Sequence, residues 1–119
     1  MEQYRAVQVS TTTASREDAE RIGAMLVEGR LAACVQVVGP VSSRYRWQGR
    51  VESSQEWMCL IKTTPDRFSE VEAAVAAAHG YEVPEIVALP IVAGSRAYLD
   101  WVVSEVGMPG NEAARGEGY

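Results

Sequence analysis

Residues 32–64, AACVQVVGPVSSRYRWQGRVESSQEWMCLIKTT, decide the fold of this chain. Two strand-like runs, 32–46 and 51–64, flank the turn Trp47-Gln48-Gly49-Arg50, so the segment predicts an antiparallel hairpin. Gly39-Pro40 interrupts the first run. Proline has no N–H to give to a ladder, so a bulge or kink is expected there. The second run carries Trp57-Met58-Cys59-Leu60-Ile61, apolar on both faces of a strand. An antiparallel register counted back from a tip near Gly49 sets Cys34 close to Thr63 and Cys59 close to Val38. The two cysteines would then lie too far apart along the ladder for a disulfide, and free thiols are expected.

A helix pattern lies on each side of this hairpin. Before it, Ser15 caps a helix over about 16–28, with Glu17 and Asp18 in the first turn and Ala19, Ile22 and Leu26 as the apolar stripe; Gly29 reads as its stop. After it, Thr64 reads as a cap and Pro65 as the first helical residue, where its missing N–H costs nothing. Phe68, Val71, Val75 and Ala78 form the stripe of this second helix, and Gly80 reads as its end. Further outward are a strand at 4–12 and another at 86–93, the latter with Pro90 suggesting an edge or a bulge. Ser95 then caps a short third helix that runs to about 106.

The order is β-α-β-β-α-β, the split βαβ or ferredoxin-like α+β arrangement, an antiparallel sheet here carrying a short extra C-terminal helix. Residues 1–106 are expected to form this single domain, a usual size for one. Residues 107–119, rich in glycine and poor in apolar residues, are expected to be a flexible C-terminal tail. In this arrangement the two main helices cover one sheet face. A second face left in water should show alternating polarity. Residues 32–38, 57–61 and 86–92 do not alternate, so both faces call for burial. The short third helix is too small to cover a whole face, and a further copy of the chain is the economical cover.

Composition narrows the function classes. The 119 residues carry a formal net charge of −5, which argues against nucleic acid as a partner, because that affinity comes mainly from Lys and Arg on phosphates. No basic amphipathic helix points to a membrane surface. Met1-Glu2-Gln3-Tyr4-Arg5 lacks the basic-then-apolar pattern of a signal peptide, and the two cysteines suit a reducing compartment, so a cytoplasmic location is expected.

Several local strings carry more information than the fold pattern. They are Arg30-Leu31-Ala32-Ala33-Cys34-Val35, Tyr45-Arg46-Trp47-Gln48-Gly49-Arg50-Val51-Glu52, Ile61-Lys62-Thr63-Thr64 and His79-Gly80-Tyr81-Glu82-Val83-Pro84-Glu85-Ile86. Leu89-Pro90-Ile91 and Tyr98-Leu99-Asp100-Trp101 follow. In this order and spacing, from about Ala6 to Val106, the chain resembles the CutA family of divalent-cation tolerance proteins. One departure is Gly80 after the histidine, where the family often has proline or another residue. The resemblance implies a ferredoxin-like homotrimer, similar in architecture to the PII signalling proteins. It also implies a role in tolerance to copper and other divalent ions, with copper bound in some members and no firmly attached enzymatic reaction.

On that resemblance Cys34 and His79 are the candidate metal ligands, thiolate and imidazole being donors that suit copper. Neither belongs to a close-spaced ligand pair; from the residues alone Cys34 reads more readily as a small buried hydrophobe, and His79 equally as a ligand and as a helix-end cation. Lys62, the only lysine, lies in an apolar strand and should be paired or at a cleft; Glu82 or Glu85 is the expected partner. A rival function, also from the PII likeness, is a small-molecule cleft between subunits using Lys62, Tyr81, Glu82, Glu85 and Trp47. A third is a structural, partner-binding trimer. Arg44, Arg46 and Arg50 near the hairpin tip read mainly as solvated arginines. No Ser-His-Asp or Cys-His pattern supports catalysis, and the chain is expected not to be an enzyme.

Overall fold

The structure is a computed structural model that describes residues 1–107. The expected tail lies, apart from Gly107, outside the described residues. The elements are β1 (Val7–Thr13), α1 (Arg16–Glu28), β2 (Cys34–Trp47), β3 (Arg50–Thr63), a 3-10 turn (Pro65–Arg67), α2 (Phe68–Ala78), β4 (Val87–Pro90) and α3 (Arg96–Glu105). The strands form one antiparallel sheet in the order β2-β3-β1-β4. This is the ferredoxin-like arrangement expected from the element order. No helix among the described residues is long and apolar enough to cross a membrane.

The hairpin closes as its turn residues require. Gln48 and Gly49 both have positive φ, 52° and 80°, the backbone of a tight primed turn that matches strand twist. From the tip, Trp47 pairs with Arg50 and the register runs to Val41 opposite Glu56. Gly39 and Pro40 then stand opposite Trp57 alone, and beyond them Val38 pairs with Met58. This is the expected bulge, and it corrects the register beyond it by one residue. Cys34 pairs with Lys62 rather than Thr63, and Cys59 with Val37 rather than Val38. A one-residue shift reverses which side chains share a face. Gly39 fits here because a Cβ would fall on the indole of Trp57.

α1 begins where expected, with Ser15 Oγ accepting from the Asp18 N–H at 3.1 Å. It also ends where expected, at Glu28 with Gly29 as its C-cap, but the left-handed turn comes one residue later. Gly29 keeps φ at −83°, and the left-handed residue is Arg30 at φ 59°. The Arg30 N–H donates to Val27 and the Leu31 N–H to Leu26, the double bond of a Schellman end. Thr64 stands at the N-cap with Pro65 first, as expected, but the turn it opens is 3-10 and its hydroxyl donates to Asp66 at 2.5 Å instead of accepting from the backbone. α2 stops at Ala78, so His79, in extended backbone, and not Gly80 marks its end. β4 is shorter than 86–93; just beyond it the Ile91 N–H still donates to the Ala6 carbonyl at 3.0 Å, and the Ile91 side chain packs with Val102 of α3.

α1 and α2 cover one face of the sheet. Val7 and Val9 of β1, Cys59 and Ile61 of β3, Ile22 and Leu26 of α1, and Val71 and Val75 of α2 are fully or almost fully buried there. The other face is only partly closed. α3 sets Val102, Val106 and Leu99 against Ala6, Ala33 and Ile91 at one end of it. Val38, Val87 and Leu89 on that face remain 44%, 48% and 60% exposed. The buried Arg67 guanidinium, whose place no sequence pattern announced, donates to the Gly107 carbonyl and pairs with Glu70 at 3.0 Å, tying the chain after α3 to the start of α2.

Candidate functional site

β1 ends opposite Trp57, but the β2–β3 hairpin continues from there to its tip with no third strand beside it among the described residues. The loop between α2 and β4, residues 79–86, passes the same end of the sheet. Between the projecting hairpin and this loop lies a cleft of about 730 Å³, within the size range of small-molecule sites. Trp47, Tyr45, Ser43 and Arg44 line it from β2, Glu56 from β3, Thr12 from β1, and residues 80–85 from the loop.

His79 fixes the loop. Its Nδ1 accepts from the Tyr81 N–H at 3.1 Å, so its Nε2 carries the proton and donates to the Thr12 carbonyl at 2.7 Å. The imidazole also packs on the Tyr81 ring, with centroids 4.8 Å apart. Tyr81, so held, donates its hydroxyl to Glu56 Oε2 at 2.8 Å. Burial first, then the Glu56 hydrogen bond and charge, push the Tyr81 hydroxyl far above its ordinary pKa of 10.0. Tyr81 is therefore a fixed hydrogen-bond donor, and Glu56 is held in place although only 7% exposed.

Of the residues singled out from the sequence, Trp47, Tyr81, Glu82 and Glu85 all line this cleft. Lys62 does not. It pairs across the sheet with Gln8 and donates to Gln36 at 2.9 Å, while the cleft lies beside Thr12. Four residues of strand separate the two levels, about 13 Å. The expected ion pair of Lys62 with Glu82 or Glu85 does not form within one chain. Cys34 is level with Lys62 and a further strand away, so it is farther still from His79 at Thr12, and one chain does not bring these two candidate metal ligands together. Cys34 instead lies near the Tyr98 hydroxyl, whose pKa is raised by burial first and then by the thiol. Both cysteines are free. Among the described residues there is no group of three or more His, Cys, Asp or Glu side chains that could hold a metal ion.

Sequence reasoning misses Glu56. The signal available for it is position: a carboxylate directly before the apolar Trp57–Ile61 run, on a strand inside the sheet. Only the crossing of the loop shows that it meets Tyr81.

Residues 7–105 match the family model described as CutA1 divalent ion tolerance protein. The chain belongs to the CutA1 family. It is 50% identical over 99 residues to the divalent-cation tolerance protein CutA of Thermus thermophilus, covering 83% of this chain and 96% of the relative. The solved structure of the divalent cation tolerance protein from Thermus thermophilus superposes with a TM-score of 0.83 at 49% identity, over 86% of this chain and 99% of that one. The Archaeoglobus fulgidus CutA structure, described as a periplasmic divalent cation tolerance protein, gives a TM-score of 0.82 at 39% identity, over 85% and 98%. CutA1 membership agrees with the α+β fold and places the chain among proteins named for divalent-cation tolerance, and not for a reaction.

Proposed function

We propose that this chain works as a homotrimer in tolerance to divalent cations, with copper as the preferred ion, and without catalysing a reaction. The observation that carries the assembly is the incomplete sheet face. Val38, Val87 and Leu89 lie exposed beside partly buried Met58 and Leu60, an apolar surface of the kind that a second copy covers. The outer edge of the 14-residue β2 is also without a partner strand among the described residues, and long open edges favour strand addition. Cys34 lies on this same face, so assembly would set its thiol near a subunit contact. His79 reaches such a thiol only from a neighbouring subunit, and it gives up one of its two ring hydrogen bonds to bind a metal.

The proposal includes a cytoplasmic setting, supported by the two free thiols, and no nucleic-acid or membrane partner, supported by the net charge of −5. Light scattering with and without Cu(II), followed by metal counting after desalting, tests it. A trimer retaining a fixed copper ratio that falls away in Cys34→Ala or His79→Ala is the expected result. A monodisperse monomer at high micromolar concentration would overturn the assembly, and a trimer retaining no copper would overturn the metal site.

A second reading is favoured by the cleft itself. A PII-like trimer could hold a small organic ligand there, against Trp47, Tyr81, Glu82 and Glu85. This reading makes no use of Cys34. It survives the loss of copper binding and is tested with small molecules.

A further inference from the structure

Glu56 is a nearly buried carboxylate that no ion pair engages among the described residues. Its Oε2 accepts the Tyr81 hydroxyl, and no hydrogen bond or ion pair engages its Oε1 among the described residues. The ion pairs among those residues are Arg5–Asp100, Arg21–Asp18 and Arg67–Glu70. Oε1 is not among the buried side-chain atoms left without a partner, so it reaches the solvent of the cleft, where an ammonium would meet it by displacing water. Glu56 opens into the cleft, so a ligand can supply what the chain does not.

The walls specify which ligand. The hairpin register between the tip and the bulge puts Glu56, Tyr45 and Trp47 on one face, and Tyr81 closes on Glu56 from the loop. Aromatic faces attract cations, and alkyl chains pack on them. Glu82 and Glu85 add two carboxylates farther along the loop, with Arg44 as the cation among the lining residues. An anion would meet three carboxylates against one guanidinium. A bare metal ion would find a cleft far larger than its coordination sphere and no cluster of three ligands among the described residues.

We propose that the cleft takes a protonated alkylamine, whose ammonium donates to Glu56 Oε1 while its chain lies along Trp47, Tyr45 and Tyr81. This rests on the small-molecule reading of the cleft and names the chemical class of its ligand. A second ammonium at the far end of the chain would meet Glu82 or Glu85, the other carboxylates lining the cleft. The hydrogen bonds of His79 hold the loop in this position, which makes His79 a positioning residue for the site.

Calorimetric titration of the purified protein with 1,5-diaminopentane, 1,5-pentanediol and glutarate separates the possibilities. The diamine is expected to bind once per chain, the diol and the dianion not at all, and added salt to weaken the diamine. Glu56→Gln keeps an acceptor for Tyr81 and removes the charge; it is expected to weaken the diamine roughly thirtyfold, as loss of one member of a buried charge pair does. Trp47→Leu, at a half-exposed hairpin position, weakens it without disturbing the core and serves if Glu56→Gln does not fold. Diol or glutarate binding as tight as the diamine, abolished by Trp47→Leu, would leave the cleft a ligand site and overturn the amine. Diamine binding unchanged in both variants would also overturn the amine. Absence of binding by all three compounds would overturn the amine while leaving other small molecules to test the cleft.

Discussion

Cys59 and Cys34 stand on neighbouring strands of one sheet and on opposite faces of it. Cys59 is fully buried under α1, where its thiol donates to the Ala19 carbonyl at 3.4 Å and burial pushes its pKa from 9.0 to about 11. Cys34 is part-exposed on the face that α3 covers only at one end. The contrast extends to their neighbours. Ile61 is sealed beneath the helices, whereas the adjacent Leu60 points to the incomplete face and is only partly buried. One face of the sheet is thus covered by the chain's own helices, and among the described residues the other is covered only at one end.

Paired substitutions break this contrast most directly. Ile61→Ala is expected to lower unfolding stability by about 2–5 kcal/mol, read from urea midpoints, because the site cannot collapse around the cavity. Leu60→Asp, one residue along, is expected to leave the far-UV circular dichroism spectrum intact and to shrink the assembled species in light scattering. Equal loss of secondary structure in both would show the two faces to be equivalent.

A smaller effect sharpens the comparison at the bulge that sets the faces beyond it. Gly39→Ala drives a methyl into the Trp57 indole and is expected to cost about 1–3 kcal/mol, again by urea midpoint. A wild-type midpoint in that variant would mean the register there is set by Pro40 alone.

The smallest effect separates the two thiols by pH. The raised pKa of Cys59 means that the folded chain holds this proton more tightly than the unfolded chain. That stabilisation is complete below pH 9.0 and is lost as pH rises through about 11. Cys59→Ala is therefore expected to be less stable at neutral pH and to show a flatter decline between these pH values. An unchanged decline would place its cause elsewhere.

Much of this molecule is legible along the chain. The two helical stripes, Ala19-Ile22-Leu26 and Val71-Val75, bury the residues their spacing implies, because a helix sorts its faces by local periodicity. Gln48-Gly49 marks the hairpin tip, and Gly39-Pro40 announces a bulge. Trp47, Tyr81, Glu82 and Glu85, grouped from the sequence, line one cleft. Lys62 does not join them, because a strand pattern shows which side a residue faces but not how far along the sheet a distant loop will cross.

The sequence by itself therefore determined the elements, their order and the surplus of apolar residues on the second face, since these depend on neighbours a few positions apart. Only the tertiary structure decided the direction of the bulge's shift, the role of Arg30 in ending α1 and the burial of Arg67. It alone decided that His79 secures Tyr81, and Tyr81 secures Glu56. Most of those contacts join residues from separate elements, and their energies exist only once the chain has brought the two ends together.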